Sequence, residues 1–343
     1  MTPEMLLSSR LRGQFLTETA DPRTAAAGLC GVQAQFLNAA LHALRLRCGD
    51  ADPNRSLIKL WTLRGTLHLI PPEDLPFYCL RQGTPEDAAQ TEIYRFLDTH
   101  SRSIGKERAI FFAALILDAV RNGVDRKETL RTLCREAGMT DFEELHVFHP
   151  WGGTLRELCE LGLICFDLTP EKRILPCPAF APTEERKAMQ ELMRRYLIHY
   201  GPVTLQDAVY FFRRPKKILR ESLFSLPVTE YPLGSDVFYA LTPPEEGNIP
   251  PCLLLAGFDP MLLGYEKADN PILPVGHLRQ VYTMTGIVHP TVLLDGRIAA
   301  RWKASPKALE IIPFRRLQAR ERKRIAVQAK VFFPKKQVRF AEK

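Results

Sequence analysis

Apolar residues recur along the chain with two periods: the 3.6-residue period of a helix stripe, and the alternation or short unbroken run of a strand. Three times, at spacings of roughly 80 to 100 residues, helix-like stretches are followed by a short apolar strand pair. That is the element order of a winged helix, two or three short helices and then a hairpin wing.

The first set predicts a helix near residues 4–20, a short one near 24–30, and a longer one carrying Phe36, Leu37, Leu41, Leu44 and Leu46. After the turn-rich CGDADPN, SLIKLWTL reads as a further helix and GTLHLI as a strand stopped by Pro71 and Pro72, with another helix from Glu73. The second set opens with ERAIFFAALILDAVRNG, whose Asn-Gly marks the helix stop, and continues with DRKETLRTLCREAG. WGGTLRELCELGLICFDLTPEKRILPCP supplies its third helix and a hairpin, LGLICF being short enough for a strand. In the third set ERKAMQELMRRYLIHYG and VTLQDAVYFFRR are helices, the latter capped by Thr204, and PKKILRESLFSL begins at Pro215. VTEYPLGSDVFYAL then alternates about Gly234-Ser235 as a wing. From Pro243 the runs CLLLAGF, LRQVYTMTGIV, TVLLDGRIAARW and LEIIPF read as strands, with Asp295-Gly296 a hairpin turn. The fold class expected is α+β: three tandem winged-helix modules over 1–105, 106–182 and 183–242, and a small β-barrel over 243–343.

A length of 343 residues fits several modules better than one domain of about 100–200 residues. No run approaches the ~18 apolar residues of a membrane span, and the start lacks the pattern of a signal peptide, so a cytoplasmic protein with no membrane partner is expected. The eight cysteines form no C-x-x-C pair and have no histidine at ligand spacing; buried free thiols are expected, with no metal and no cofactor. Charge sharpens the picture. Of the net charge of +8, the segment 297–343 carries 15 basic and 3 acidic residues, which leaves the rest net acidic. This tail, interleaved with aromatic residues, is a candidate phosphate-backbone surface. Arg213, Arg214, Lys216 and Lys217 sit at the front of the third set's recognition helix, where phosphates or groove edges would be met.

The usual enzyme motifs are absent: there is no G-x-S-x-G, P-loop, dinucleotide fingerprint or metal-ligand cluster. What remains is Gly31-Val32-Gln33-Ala34-Gln35 before the long helix of the first set. In a helix, residues two apart point away from each other, whereas in an extended segment they share a face. Gly31 makes the extended form plausible, and two neutral amides would then project together near a helix N-terminus. Alone, such a pair is an ordinary occurrence, and His68, Arg64 and Asp259 are each more simply read as a packed histidine, a salt-bridge partner and a turn starter.

Taken in order, GVQAQ, WTLRGTLHL, YGPVTLQDA, LLAGFDPMLLGY and HPTVLLDGRIAARW resemble the tandem winged-helix DNA glycosylases of the AlkZ type, over essentially the whole chain. The resemblance implies winged-helix modules in a C shape closed by a β-barrel, and a catalytic Gln, aliphatic, Gln signature that falls on Gln33, Ala34 and Gln35. It places Arg64 and His68 as contacts to substrate or phosphate, with Asp259 and Arg301 as further candidates, and Tyr282 to His289 as a hairpin into a groove. Two departures concern DNA contacts: Glu266-Lys267-Ala268-Asp269-Asn270 where relatives often have an acidic-Arg pair, and Ala300-Arg301-Trp302 where they often have G-T-W.

The implied activity is that of a monofunctional glycosylase acting on cationic N7-alkylguanine and N3-alkyladenine, and on interstrand crosslinks, in double-stranded DNA. A monomer is expected. An amide is a poor general base, but its carbonyl oxygen can hold a water and face a cationic sugar. The alternative is a non-catalytic winged-helix DNA-binding protein or transcriptional regulator, against which the lack of a heptad dimerisation run argues.

Overall fold

The computed structural model describes residues 1–100, 102–268, 270–274 and 276–342. Asp269, one of the residues in which the chain departs from its relatives, lies outside the described residues. The chain forms two compact units, one of Met1–Ala51 with Leu192–Lys343 and one of Asp52–Glu191.

The unit Asp52–Glu191 packs helices on a small sheet. Helices Lys106–Arg121, Lys127–Glu136, Asp141–Val147 and Gly153–Glu160 bury Phe112, Ile116, Leu117, Leu130, Val147 and Leu158. Strands Leu67–Ile70, Ile58–Trp61, Ile164–Phe166 and Ile174–Pro176 lie side by side in that order, each antiparallel to the next. The segment SLIKLWTL is therefore a strand, not a helix. Its partner is the next stretch of chain, paired from Ile58↔Ile70 to Trp61↔Leu67. Arg64 and Gly65, at φ 59° and 62°, fold the chain back between them, and the hairpin ladder outweighs the weak helical period of eight residues.

In the other unit, helix Pro3–Gly13 ends earlier than expected, and helix Leu205–Phe212 carries the expected Thr204 cap, closed reciprocally by Asp207. Hairpin Thr229–Leu233 and Asp236–Ala240 turns at Gly234-Ser235 as its alternation predicts. Strands Cys252–Leu255, Thr291–Leu294, Arg297–Ala304, Ala308–Pro313 and Gln337–Phe340 form one sheet in that order. The last pair is parallel, which needs a crossover, and helix Ala319–Phe332 supplies it while burying Ile325 and Ala329 against Leu254, Trp302 and Ile311. Among the described residues the two edge strands do not pair, so the sheet is open rather than a closed barrel. LRQVYTMTGIV is a one-turn helix, Leu278–Val281, followed by a narrow hairpin bridged at Tyr282 and Val288, instead of one strand. All eight cysteines are buried thiols.

Candidate active site

The glutamine segment is set by its flanks. Helix Pro22–Gly28 starts on the Asp21 carboxylate, which accepts from Arg23 and Thr24 N–H groups. It stops where Cys30 and Gly31 take positive φ and the Gly31 N–H returns to the Ala26 carbonyl at 2.8 Å. Val32 and Gln33 are then extended, and helix Leu37–Cys48 begins after Phe36 with no side-chain cap. Gln33 is buried and Gln35 exposed, and Gln33 Nε2 donates to Gln35 Oε1 at 3.1 Å. The two amides lie on one side of the chain. A carbonyl oxygen has two lone pairs, so Gln35 Oε1 keeps one for a solvent molecule.

Beneath the segment lies a buried polar network. Tyr200 Oη donates to the Leu29 carbonyl at 3.0 Å, and Tyr265 Oη donates to the Tyr200 carbonyl and accepts from Gln14 Nε2. The Arg10 guanidinium lies 3.8 Å over the Tyr265 ring, and Arg10 donates to Asp207 and to the Pro202 carbonyl. Arg47 grips Asp259 with two hydrogen bonds of 3.2 and 2.8 Å, both side chains fully buried. The motifs YGPVTLQDA and LLAGFDPMLLGY thus supply the frame under the glutamines. Asp259, expected among substrate or DNA contacts, has no exposed surface, and its carboxylate is bonded to Arg47 and to the Met261 and Ala256 N–H groups.

Arg64 and His68 belong to the other unit and meet each other there. His68 is buried at the hairpin, with Arg64 Nη2 3.1 Å from Nε2. A guanidinium only donates, so Nε2 carries the lone pair and Nδ1–H points to the Thr66 carbonyl at 3.0 Å, with Thr62 Oγ1 at 2.9 Å. Burial, then the Arg64 charge, pushes the imidazole down to about 3, so it stays neutral. His68 is thus a buried, neutral imidazole bonded to Arg64.

Arg213, Arg214, Lys216 and Lys217 are all exposed, Arg213 in the left-handed conformation that ends helix Leu205–Phe212, and the two lysines opening helix Lys216–Phe224. Arg301 is half-exposed on its strand. Phe36, expected only as an apolar position of the long helix, precedes that helix beside the glutamines, 53% exposed and stacked on Phe258 at 5.4 Å. Its signal was available, an aromatic residue directly after the second glutamine at a helix start.

A family model covers both the glutamine segment and the motifs that frame it. The model of AlkZ-like DNA glycosylases matches residues 26–332, and the chain belongs to this family. The interstrand DNA cross-link repair glycosylase of Streptomyces sahachiroi is 28% identical over 337 residues, which cover 89% of this chain and 88% of that protein. The solved structure of the S. sahachiroi DNA glycosylase AlkZ has the same fold, with a TM-score of 0.78 at 24% identity over 99% of this chain and 100% of that one.

Proposed function

We propose that this chain hydrolyses the N-glycosidic bond of cationic N7-alkylguanine and N3-alkyladenine in duplex DNA, and of interstrand crosslinks made through such bases, with Gln33 and Gln35 as its catalytic pair. The observation that carries this reading is the hydrogen bond that ties the two amides together with one buried and the other exposed. Gln35 holds the attacking water through its remaining lone pair. Gln33, behind it, fixes the amide's orientation, and the carbonyl dipole faces the sugar as positive charge develops there.

The lesion supplies much of the activation. As the C1′–N bond breaks, its electron pair goes to the base, which departs neutral because alkylation had made it a cation. Water adds to C1′ and loses a proton to solvent, leaving an abasic site. Neither amide ionises, so turnover is expected to be flat near neutral pH, and uncharged bases such as uracil are expected to be left intact. Phe36 lies against the sugar or base beside the water, and Arg64, held by His68, meets a phosphate. Arg213, Arg214, Lys216, Lys217 and Arg301 are further backbone contacts.

We read the repeated order of helices and hairpin as three winged-helix modules over 1–105, 106–182 and 183–242, followed by the sheet region 243–343. The second has helices Lys106–Arg121, Lys127–Glu136 and Gly153–Glu160 before its wing, and the third has Glu185–His199, Leu205–Phe212 and Lys216–Phe224 before Thr229–Ala240. Shallow modules suit a base tied to both strands, which cannot be swung into a deep pocket.

Incubation with a duplex containing N7-methylguanine tests the reading. Abasic sites are expected with wild type, and are expected to form on the order of a hundredfold more slowly with Gln35→Ala, while both bind the duplex equally. A regulator would bind and leave the duplex intact, and no release by wild type refutes the proposal.

A further inference from the structure

On the unit Asp52–Glu191, away from the glutamine segment in sequence, a cluster of aromatic rings is open to solvent. Trp151 is 56% exposed and Phe96 37%, with centroids 5.4 Å apart. His100 lies 4.3 Å from Phe96, and His149, itself buried, 5.6 Å from Trp151. Large rings grouped on a surface mark a recognition site more often than scattered ones do.

The backbone is shaped to display them. The Trp151 N–H donates to His149 Nδ1 at 3.1 Å and the Gly152 N–H to the His149 carbonyl at 2.8 Å. Gly152 and Gly153 follow at φ 116° and 51°. A Cβ at Gly153 would lie 2.0 Å from the His146 carbonyl oxygen, and one at Gly152 2.5 Å from Arg156 Cβ and 2.9 Å from the Trp61 ring. Only glycines fit this turn, and it leaves Trp151 standing out from the start of helix Gly153–Glu160.

Charge narrows the partner. Arg102, whose charge adds to burial in lowering the proton affinity of His149, and Arg95, next to Phe96, are exposed, and neither forms a salt bridge among the described residues. Asp98, three residues from Arg95 on the same helix, accepts from Ser103. Rings flanked by unneutralised guanidinium groups match a strand that offers flat bases and phosphates. Paired bases in a duplex keep their faces stacked on one another, so an unpaired base is the one with a face to give.

We propose that Trp151 and Phe96 form a stacking platform for unpaired nucleobases of single-stranded DNA, with Arg102 and Arg95 meeting the phosphates. The platform rests on the reading of this chain as a DNA-acting enzyme and adds single-stranded segments to what it holds. Its test uses the full chain and the anisotropy of a labelled short oligothymidylate and of an undamaged duplex of equal length. Trp151→Ala is expected to weaken oligothymidylate binding roughly tenfold and duplex binding by less than about twofold. Trp151→Phe, which keeps a ring, recovers most of the loss, and Arg102→Ala steepens it. Unchanged oligothymidylate binding in a Phe96→Ala, Trp151→Ala double variant overturns the proposal. Equal weakening on both DNAs overturns it too, as does a wild-type dimer in sedimentation that Trp151→Ala dissociates. The readout is binding to undamaged DNA, so a chain that releases no alkylated base would sink the glycosylase reading and leave this measurement interpretable.

Discussion

In the proposed mechanism Gln35 holds one water molecule in line with a single carbon atom, and Gln33 steadies its carbonyl oxygen. Truncation of Gln35 removes the water's anchor and is expected to slow base release on the order of a hundredfold. Gln33→Ala leaves the anchor but frees it to rotate, so a smaller loss with unchanged duplex affinity is expected in single-turnover assays. Arg47 and Asp259 make the opposite kind of pair, fully buried and remote from solvent. Arg47→Met strands a carboxylate in the interior and is expected to cost about 3–5 kcal/mol in urea unfolding. Arg47→Met combined with Asp259→Leu costs less than the two single changes added together. These residues differ in how far the sequence could betray them. The glutamines are two positions apart behind a glycine, and an extended segment was enough to bring them together. Asp259 finds its arginine 212 positions away, and no local pattern carries that distance.

At the level of elements, the glutamine segment depends on the close approach of helix Pro22–Gly28 to helix Glu185–His199. A Cβ on Gly28 would sit 2.6 Å from His199 Nε2, and the ring cannot swing away without losing the bond from its Nδ1 to the Gly13 carbonyl, 2.8 Å. Gly28→Ala is expected to destabilise the protein by about 1–3 kcal/mol and to slow base release, since the helix that ends at the motif is displaced. Adding His199→Ala restores part of both, as thermal melts and base-release rates would show. Hairpin turns and caps were legible because their signals are local: Gly234-Ser235, Asp295-Gly296 and the Thr204–Asp207 box each act within four residues. The strand Ile58–Trp61 was not, because its apolar residues fit either period and the choice is made by a neighbour across the Arg64-Gly65 turn. The open C-terminal sheet escaped for a related reason. Strand runs show that a sheet exists, whereas closure is decided by edge pairing between distant segments.

For the whole molecule, acidity acts on both units through histidines kept neutral. Burial lowers the affinity of His42, His68 and His199 for protons, His68 to about 3. Above about pH 6.5 folded and unfolded chains carry the same neutral imidazoles and nothing is lost. Below it the unfolded chain takes up protons that the folded one refuses, so stability falls as pH falls. His68 alone accounts for about 2 kcal/mol at pH 5. Melts of wild type between pH 7 and pH 5 should fall more steeply than those of His68→Gln, a window set by about 6.5 and below. A second decline belongs to Glu143 and Glu321, held down to about 2 chiefly by hydrogen bonds from Arg108 and Arg315. Their contribution is present above the ordinary carboxylate range and vanishes as pH drops through it toward 2.

The unit that carries the glutamines is also discontinuous, its first 51 residues completed only by the chain from Leu192 onward. During translation the segment Asp52–Glu191 emerges whole and is free to fold, while Arg10, Leu29 and Arg47 have left the ribosome without Tyr200, Asp207 or Asp259 to receive them. A nascent chain therefore carries its glutamine segment unassembled until synthesis is well past the midpoint. Premature termination before Asp259 would release a product with both glutamines and an incomplete frame to hold them.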